Sequence, residues 1–246
     1  MQTIDQVLER LDAITDACYR GGDCLGIFSA VYRRTTAAVQ EAISAGRFED
    51  PQRLEHLDVV FALRYLEAYD AYCQGVPASR SWTVAFEAAR QHRLGLMQHL
   101  LLGMNAHILL DLGIAAAAVC PRDSIYSLER DFRTINEVLV GLIDEVQADI
   151  GRHSPVWRLL DRAGWRLDET LVAAGIRRAR HQAWQEACAL AFLEGDEREQ
   201  RMALLDARVA RQARHIVRGP LPARPLLWLI RKTERNPLQA IPHLTA

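Results

Sequence analysis

The chain has 246 residues, half of them hydrophobic and a quarter charged, with a formal net charge of −1. That length buries a substantial core, as one large domain or two small ones, and the charge balance excludes a general attraction to nucleic acid or anionic lipid. Five scattered cysteines (Cys18, Cys24, Cys73, Cys120 and Cys188) with no CxxC pair argue against a disulfide framework or zinc finger and for reduced, mostly buried thiols.

Helical periodicity dominates, and no alternating segment reads as a strand. The opening MQTIDQVLERLDAITDA carries acids in its first turns and no unbroken apolar run, so it does not read as a signal peptide, and the cytoplasm is the expected location. A first helix covers about residues 2–20 and stops at Gly21-Gly22. A second runs over about 23–46, with Leu25, Phe28, Tyr32 and Val39 on or near one face. Pro51 suits a first helical turn and opens a third helix ending near Gln74-Gly75. Ser79 is the N-cap of a fourth, which carries Trp82 and Phe86 at i,i+4.

A long buried helix follows from about Leu94 to Val119, and Pro121 ends it. Ser124 caps the next, to about Ile150. Pro155 separates that helix from a short one through Leu160. Leu167–Leu193 and Asp196–Arg218 complete the set. Beyond Gly219 come Pro220, Pro222, Pro225, Pro237 and Pro242, with Leu226–Ile230 as an apolar patch that docks and a loose final stretch of about ten residues. The expected fold is an all-α, single-domain multi-helix bundle of residues 1–218 around a buried central helix (about 94–119). A proline-rich segment, 219–246, is partly docked on it.

Without three polar side chains, the central LLLGMNAHILLDLGIAAAAV would read as a membrane span. Asn105, His107 and Asp111 make it the core helix of a bundle instead. A buried carboxylate costs several kcal/mol, roughly, unless it is paired or metal-bound, so His107 and Asp111 need partners. Residues four apart project from one helical face, which brings these two together. His99 is rotated off that stripe, and Asn105 points toward a different helix. Histidine and carboxylate at this spacing form a half-site for Zn²⁺, Fe²⁺ or Mn²⁺. The spacing equally suits a carboxylate orienting a histidine base, or a plain core ion pair.

Partners are available in two segments. IRRARHQAW places Arg177, Arg180 or His181, and Trp184 along one face, where an arginine stacked on the tryptophan would pair with Asp111 or hold a substrate anion. LDVVFALRYLEAYDAY puts Asp58, the candidate third metal ligand, on the stripe of Tyr65 and Tyr69, with Arg64 beside Tyr65. His56 reads as surface. In INEVLVGLIDEVQ, Asn136 and Asp144 share a side, while Glu145 and Gln147 face solvent. Asp161 and Asp206 cap or pair.

Known motifs narrow the field. The zinc-dependent phospholipase C and nuclease enzymes are all-helical and use His-x3-Asp or His-x3-Glu pairs, and the chain resembles them in fold class and in His107–Asp111. None of His56, His92, His99, His153, His181 and His215 has an acid four residues on, so at most one ion is supported. There are no paired Glu-x-x-His motifs, no DDxxD, and no GxGxxG, P-loop, GxSxG or HExxH sequence. Basic residues are not interleaved with aromatics as nucleic-acid binding would want.

Several segments together resemble an uncharacterised bacterial family of all-helical domains of unknown function: RLEHLDVVFALRYLEAYDAY, SWTVAFEAA, QHLLLGMNAHILLDLGIAAA, INEVL…DEVQ and IRRARHQAW. The resemblance covers most of the chain, and GMNAHxxLDLGIA is its most specific string. It implies that His107 and Asp111 belong to a shared core, and it implies no activity. Leu109 departs from it, standing where a polar asparagine is expected.

The functional expectation is a metal-dependent, hydrolase-like enzyme acting on a mostly apolar small molecule that bears a polar or anionic group. His107 ligates or acts as base, Asp111 ligates or orients, and Asp58 completes the shell of one Zn, Fe or Mn ion. Arg177 or Arg180 holds the anion, while Tyr65 and Trp184 line the pocket. The alternative is a non-enzymatic helical protein that binds a ligand or partner and uses His107 and Asp111 as core polar residues. In both, a small molecule is the expected partner, with neither nucleic acid nor a membrane span.

Overall fold

Thr3 accepts a hydrogen bond from the Gln6 amide and starts α1 (Ile4–Gly21), and Gly22 stops it in the left-handed conformation at φ 72°. This is a computed structural model that describes residues 3–91, 94–156, 169–234 and 236–245. Every regular element among them is helical. α2 (Leu25–Ser44) packs along α1 and buries Leu25, Phe28, Tyr32 and Val39, the apolar stripe read from the sequence. Pro51 opens α3 (Pro51–Cys73), and Asp50 caps it by accepting from the Arg53 amide. Ser79 caps α4 (Arg80–Arg90), as its position predicts.

Two buried or half-buried carboxylates pin these starts. Asp131 accepts from the amides of Glu49 (2.7 Å) and Asp50 (3.1 Å) and from Arg53 Nη2 (3.2 Å). Asp206 accepts from the amides of Arg80 (2.8 Å) and Ser81 (2.9 Å), so a negative charge sits at the positive end of α4. The capping or pairing role read for Asp206 is therefore met, whereas Asp161 lies outside the described residues.

The central run does not form one regular α-helix. α5 (Leu96–Ala106) passes into a π-helical turn (His107–Asp111) and continues as α6 (Leu112–Val119). The Leu112 amide reaches back to the His107 carbonyl, closing an i→i+5 bond. Among the described residues Leu96–Val119 is the one helix long and apolar enough to cross a membrane, and 78% of its most apolar window is buried inside the fold. Two glycines let neighbours reach it. A Cβ on Gly103 would lie 2.2 Å from the Phe28 ring of α2, and one on Gly113 would lie 2.9 Å from the Ala183 carbonyl.

The Arg122–Leu128 segment is a 3₁₀ turn leading into α7 (Glu129–His153). Ser124 is no N-cap, because its hydroxyl donates back to the Pro121 carbonyl. α8 (Glu169–Leu190) lies against α6 and α7, and Glu186 ties it to Arg201 and Arg208 of α9 (Gly195–Arg218). The short helix expected after Pro155 falls on residues 157–168, outside the described residues. α10 (Arg224–Thr233) and α11 (Ile241–Thr245) follow. The final stretch is not loose: Ala240, Ile241 and Leu244 are buried, with α11 packed on α2 and α7.

Candidate functional site

The π turn carries both residues of the predicted pair. His107 and Asp111 are buried, and His107 Nδ1 lies 3.3 Å from Asp111 Oδ2. Widened turns of this kind recur at functional sites because they re-aim side chains within a helix. Asp111 Oδ1 accepts from Arg64 Nε at 3.0 Å, and Oδ2 accepts from Trp82 Nε1 at 2.8 Å. Both carboxylate oxygens are thus engaged by α3 and α4. The partner of Asp111 is Arg64, not Arg177 or Arg180 as expected. Arg177 faces solvent, and Arg180 points at α7, where Nη2 donates to the Phe132 carbonyl (2.8 Å).

His107 is held on three sides. Its ring stacks on Phe61 with centroids 3.6 Å apart, and Tyr32 meets it edge-on at 4.4 Å. Phe28, Trp82 and Tyr65 form the aromatic wall behind. Burial disfavours the imidazolium and lowers the His107 pKa, against the opposing hydrogen bond and charge of Asp111. A carboxylate only accepts, so the Asp111 contact places the ring proton on Nδ1. Nε2 then carries the lone pair. It is buried and has no hydrogen-bond partner among the described residues.

His107 belongs to the lining of a cavity of about 690 Å³. Its walls come from α2, α3, the central run, α7 and α8, with Ile216 of α9 and Leu227 and Ile230 of α10. Along the central run the lining extends from Gly95 to Leu112, a helical rise of about 25 Å. About two thirds of the lining residues are Leu, Ile, Val, Met and Phe. The exceptions that matter are Tyr32, Thr36, Asp58, His107, Gln147 and Arg180, each with a buried polar atom lacking a well-formed hydrogen bond. Buried polar atoms are normally satisfied, so their collection around one space is a feature to explain.

The charges there are perturbed. Burial pushes the Asp58 carboxyl up to about 7, with Glu55 adding to the shift. Burial raises the Tyr32 hydroxyl well above its ordinary value, with Asp58 contributing. Arg180, buried with no carboxylate partner among the described residues, is brought down to about 9 by loss of solvent.

Sequence reasoning placed some of these residues and missed others. Asn105 does serve another helix, donating to the Val209 carbonyl at 3.1 Å, and Leu109 lines the cavity. Gln147, read as solvent-facing, also lines it. Tyr65 does not: it packs behind His107 against Phe28 and Trp82. Trp184 packs on Phe132 away from the cavity, and Arg180 stacks over Phe132 rather than over Trp184. His99 borders a separate small void beside Trp82 and Gly103. Trp82 as a partner of Asp111 was not foreseen, because nothing in its spacing announces an indole N–H aimed at another helix.

The residues do not fit the expected ion. Among the described residues no three His, Cys, Asp or Glu side chains converge as a metal shell, so His107, Asp111 and Asp58 do not form one. Asp111 spends its oxygens on Arg64 and Trp82, and the free nitrogen of His107 is the one that does not face Asp111. What the arrangement offers is a neutral imidazole, oriented from behind, at the edge of an apolar space. In comparisons with known proteins, a family of unknown function (DUF5995) matches residues 4–219. No curated protein and no solved structure matches the chain.

Proposed function

The chain belongs to the DUF5995 family, and we propose that it encloses an elongated, mostly apolar small molecule whose polar group meets His107. The observation that carries this is the cavity of about 690 Å³, within the range of ligand sites, whose apolar walls are interrupted by a few unsatisfied polar atoms. His107 Nε2 accepts a hydrogen bond from the ligand, and Asp58 in its protonated form donates one. Tyr32 and Thr36 sit on the same wall.

Titration with straight-chain primary alcohols of increasing length tests the reading. Each methylene moved from water into the cavity contributes about 0.8 kcal/mol, so affinity rises about fourfold per carbon until the chain outgrows the space. Affinity indifferent to chain length contradicts it.

A second reading has its own support. His107 and Asp58 line one cavity with pKa values pushed in opposite directions, which is how a neutral base and a protonated acid coexist near pH 6–7. On that reading the protein is an enzyme, with His107 Nε2 taking a proton from the ligand and Asp58 supplying one. Turnover with a bell-shaped pH profile, whose basic limb disappears in Asp58→Asn, supports it. Binding without turnover of any ester or hydroxyl-bearing ligand leaves the binding function alone.

A further inference from the structure

Among the described residues Arg180 is the one cation in the lining of the cavity, and its surroundings are unusual for an arginine. It is 3% exposed, stacks over the Phe132 ring at 4.5 Å and donates Nη2 to the Phe132 carbonyl. Among the described residues no carboxylate lies within ion-pair distance of it, and its buried Nε–H has no acceptor. Among the described residues most other deeply placed charges are compensated, Asp58 being the exception and relieved by its raised pKa. Asp111 has Arg64, Asp131 has Arg53, Asp149 has Arg34, and Glu186 has Arg201 and Arg208. A buried charge left alone is costly, and folds neutralise or pair it wherever they can. Arginine is also the residue least able to escape by losing its proton.

We propose that the ligand of this cavity is an anionic amphiphile, a long-chain monocarboxylate that also bears a hydroxyl, whose carboxylate pairs with Arg180 while the hydroxyl is the group that donates to His107. The assignment rests on the cavity being a ligand site, as proposed above, and adds the charge of the occupant. One positive charge beside a mostly apolar lining balances one negative charge. A phosphate dianion would leave a surplus there and would face Asp58 as well. A carboxylate also matches the guanidinium geometrically, because it accepts two parallel N–H donors in plane. The Phe132 carbonyl and ring fix the guanidinium plane in advance, so little side-chain freedom is lost on binding. Asp58, the one carboxyl in the lining among the described residues, is partly protonated near neutrality and so repels the anion only in part.

The test compares a saturated long-chain carboxylate with the primary alcohol and the methyl ester of the same length, below their aggregation limits, on the native protein and on Arg180→Met and Arg180→Lys. The carboxylate binds the native protein at least about tenfold tighter than the alcohol or ester, as a charge-assisted pair requires. Arg180→Met removes that preference while alcohol affinity stays within a few-fold, and Arg180→Lys keeps part of it. The comparison on the native protein stands even if a variant misfolds. Alcohol binding with no carboxylate preference overturns the anion assignment alone. Binding by none of the three overturns the cavity reading and this assignment with it. A preference that survives in a folded Arg180→Met also overturns it.

Discussion

Asp111 shows why a residue-level reading of charge needs the partner and not only the residue. Its carboxylate is shared by Arg64, Trp82 and His107, so it acts as the joint of α3, α4 and the π turn. Replacing it with alanine leaves the buried Trp82 indole N–H without its acceptor and frees the partly exposed Arg64 guanidinium. Asp111→Ala should lose about 1–3 kcal/mol in urea unfolding, and no loss at all would contradict the joint. Asp58 behaves in the opposite way. Its folded pKa, about 7, lies above its ordinary value of 3.8, so the native state holds a proton that the unfolded state releases first. The contribution of Asp58 to stability therefore falls as pH rises from about 4 to about 7 and levels off above. Asp58→Asn lacks that loss, and its stability relative to wild type should climb by an amount on the order of a few kcal/mol between pH 4 and pH 8. A difference flat with pH would mean that the Asp58 carboxylate has a compensating partner. His107 adds the reverse trend, since a lowered pKa makes stability fall as pH drops below about 6.5.

At the scale of elements, the helices were legible because their punctuation is strong. Pro51, Ser79 and the Gly21-Gly22 pair sit where the helices begin and end, and the stripe of Leu25, Phe28, Tyr32 and Val39 faces inward as its spacing requires. Ser124 failed because a serine next to a proline has a nearer acceptor than a helix N-terminus. The π turn left no trace in the pattern. A widened turn keeps residues four apart on a common side, so His107 and Asp111 read the same in an α-helix and in a π turn. What holds the central helix in place is close contact, as at Gly103, where α2 puts the Phe28 ring into the space a side chain would take. Gly103→Ala should destabilise the fold by about 1–3 kcal/mol, and Phe28→Leu in the same chain should recover part of that. Equal stability of Gly103→Ala and wild type in a thermal melt would show that α2 and α5 are not in such contact.

At the scale of the whole molecule the limits of legibility are different. An all-α bundle around a buried helix follows from periodicity alone, and the i,i+4 spacing within that helix brings the buried His107 and Asp111 together. The cavity does not, because it is made of residues from α2, α3, α7 and α8 whose spacings all look like ordinary core. Phe61, Ile108 and Leu142 carry the same pattern whether they touch another side chain or a ligand. The tail was underestimated for the same reason: Ile241 and Leu244 are only three apart, too short a pattern to separate a docked turn from a stray pair. The central claim is that the space beside His107 holds an apolar molecule, and fluorescence titration with an environment-sensitive apolar dye tests it most directly. One saturable site is predicted, displaced by long-chain ligands and abolished in Ala179→Trp, whose indole fills the lining while helix content stays unchanged. Dye uptake without saturation, or equal binding by a folded Ala179→Trp, would contradict it.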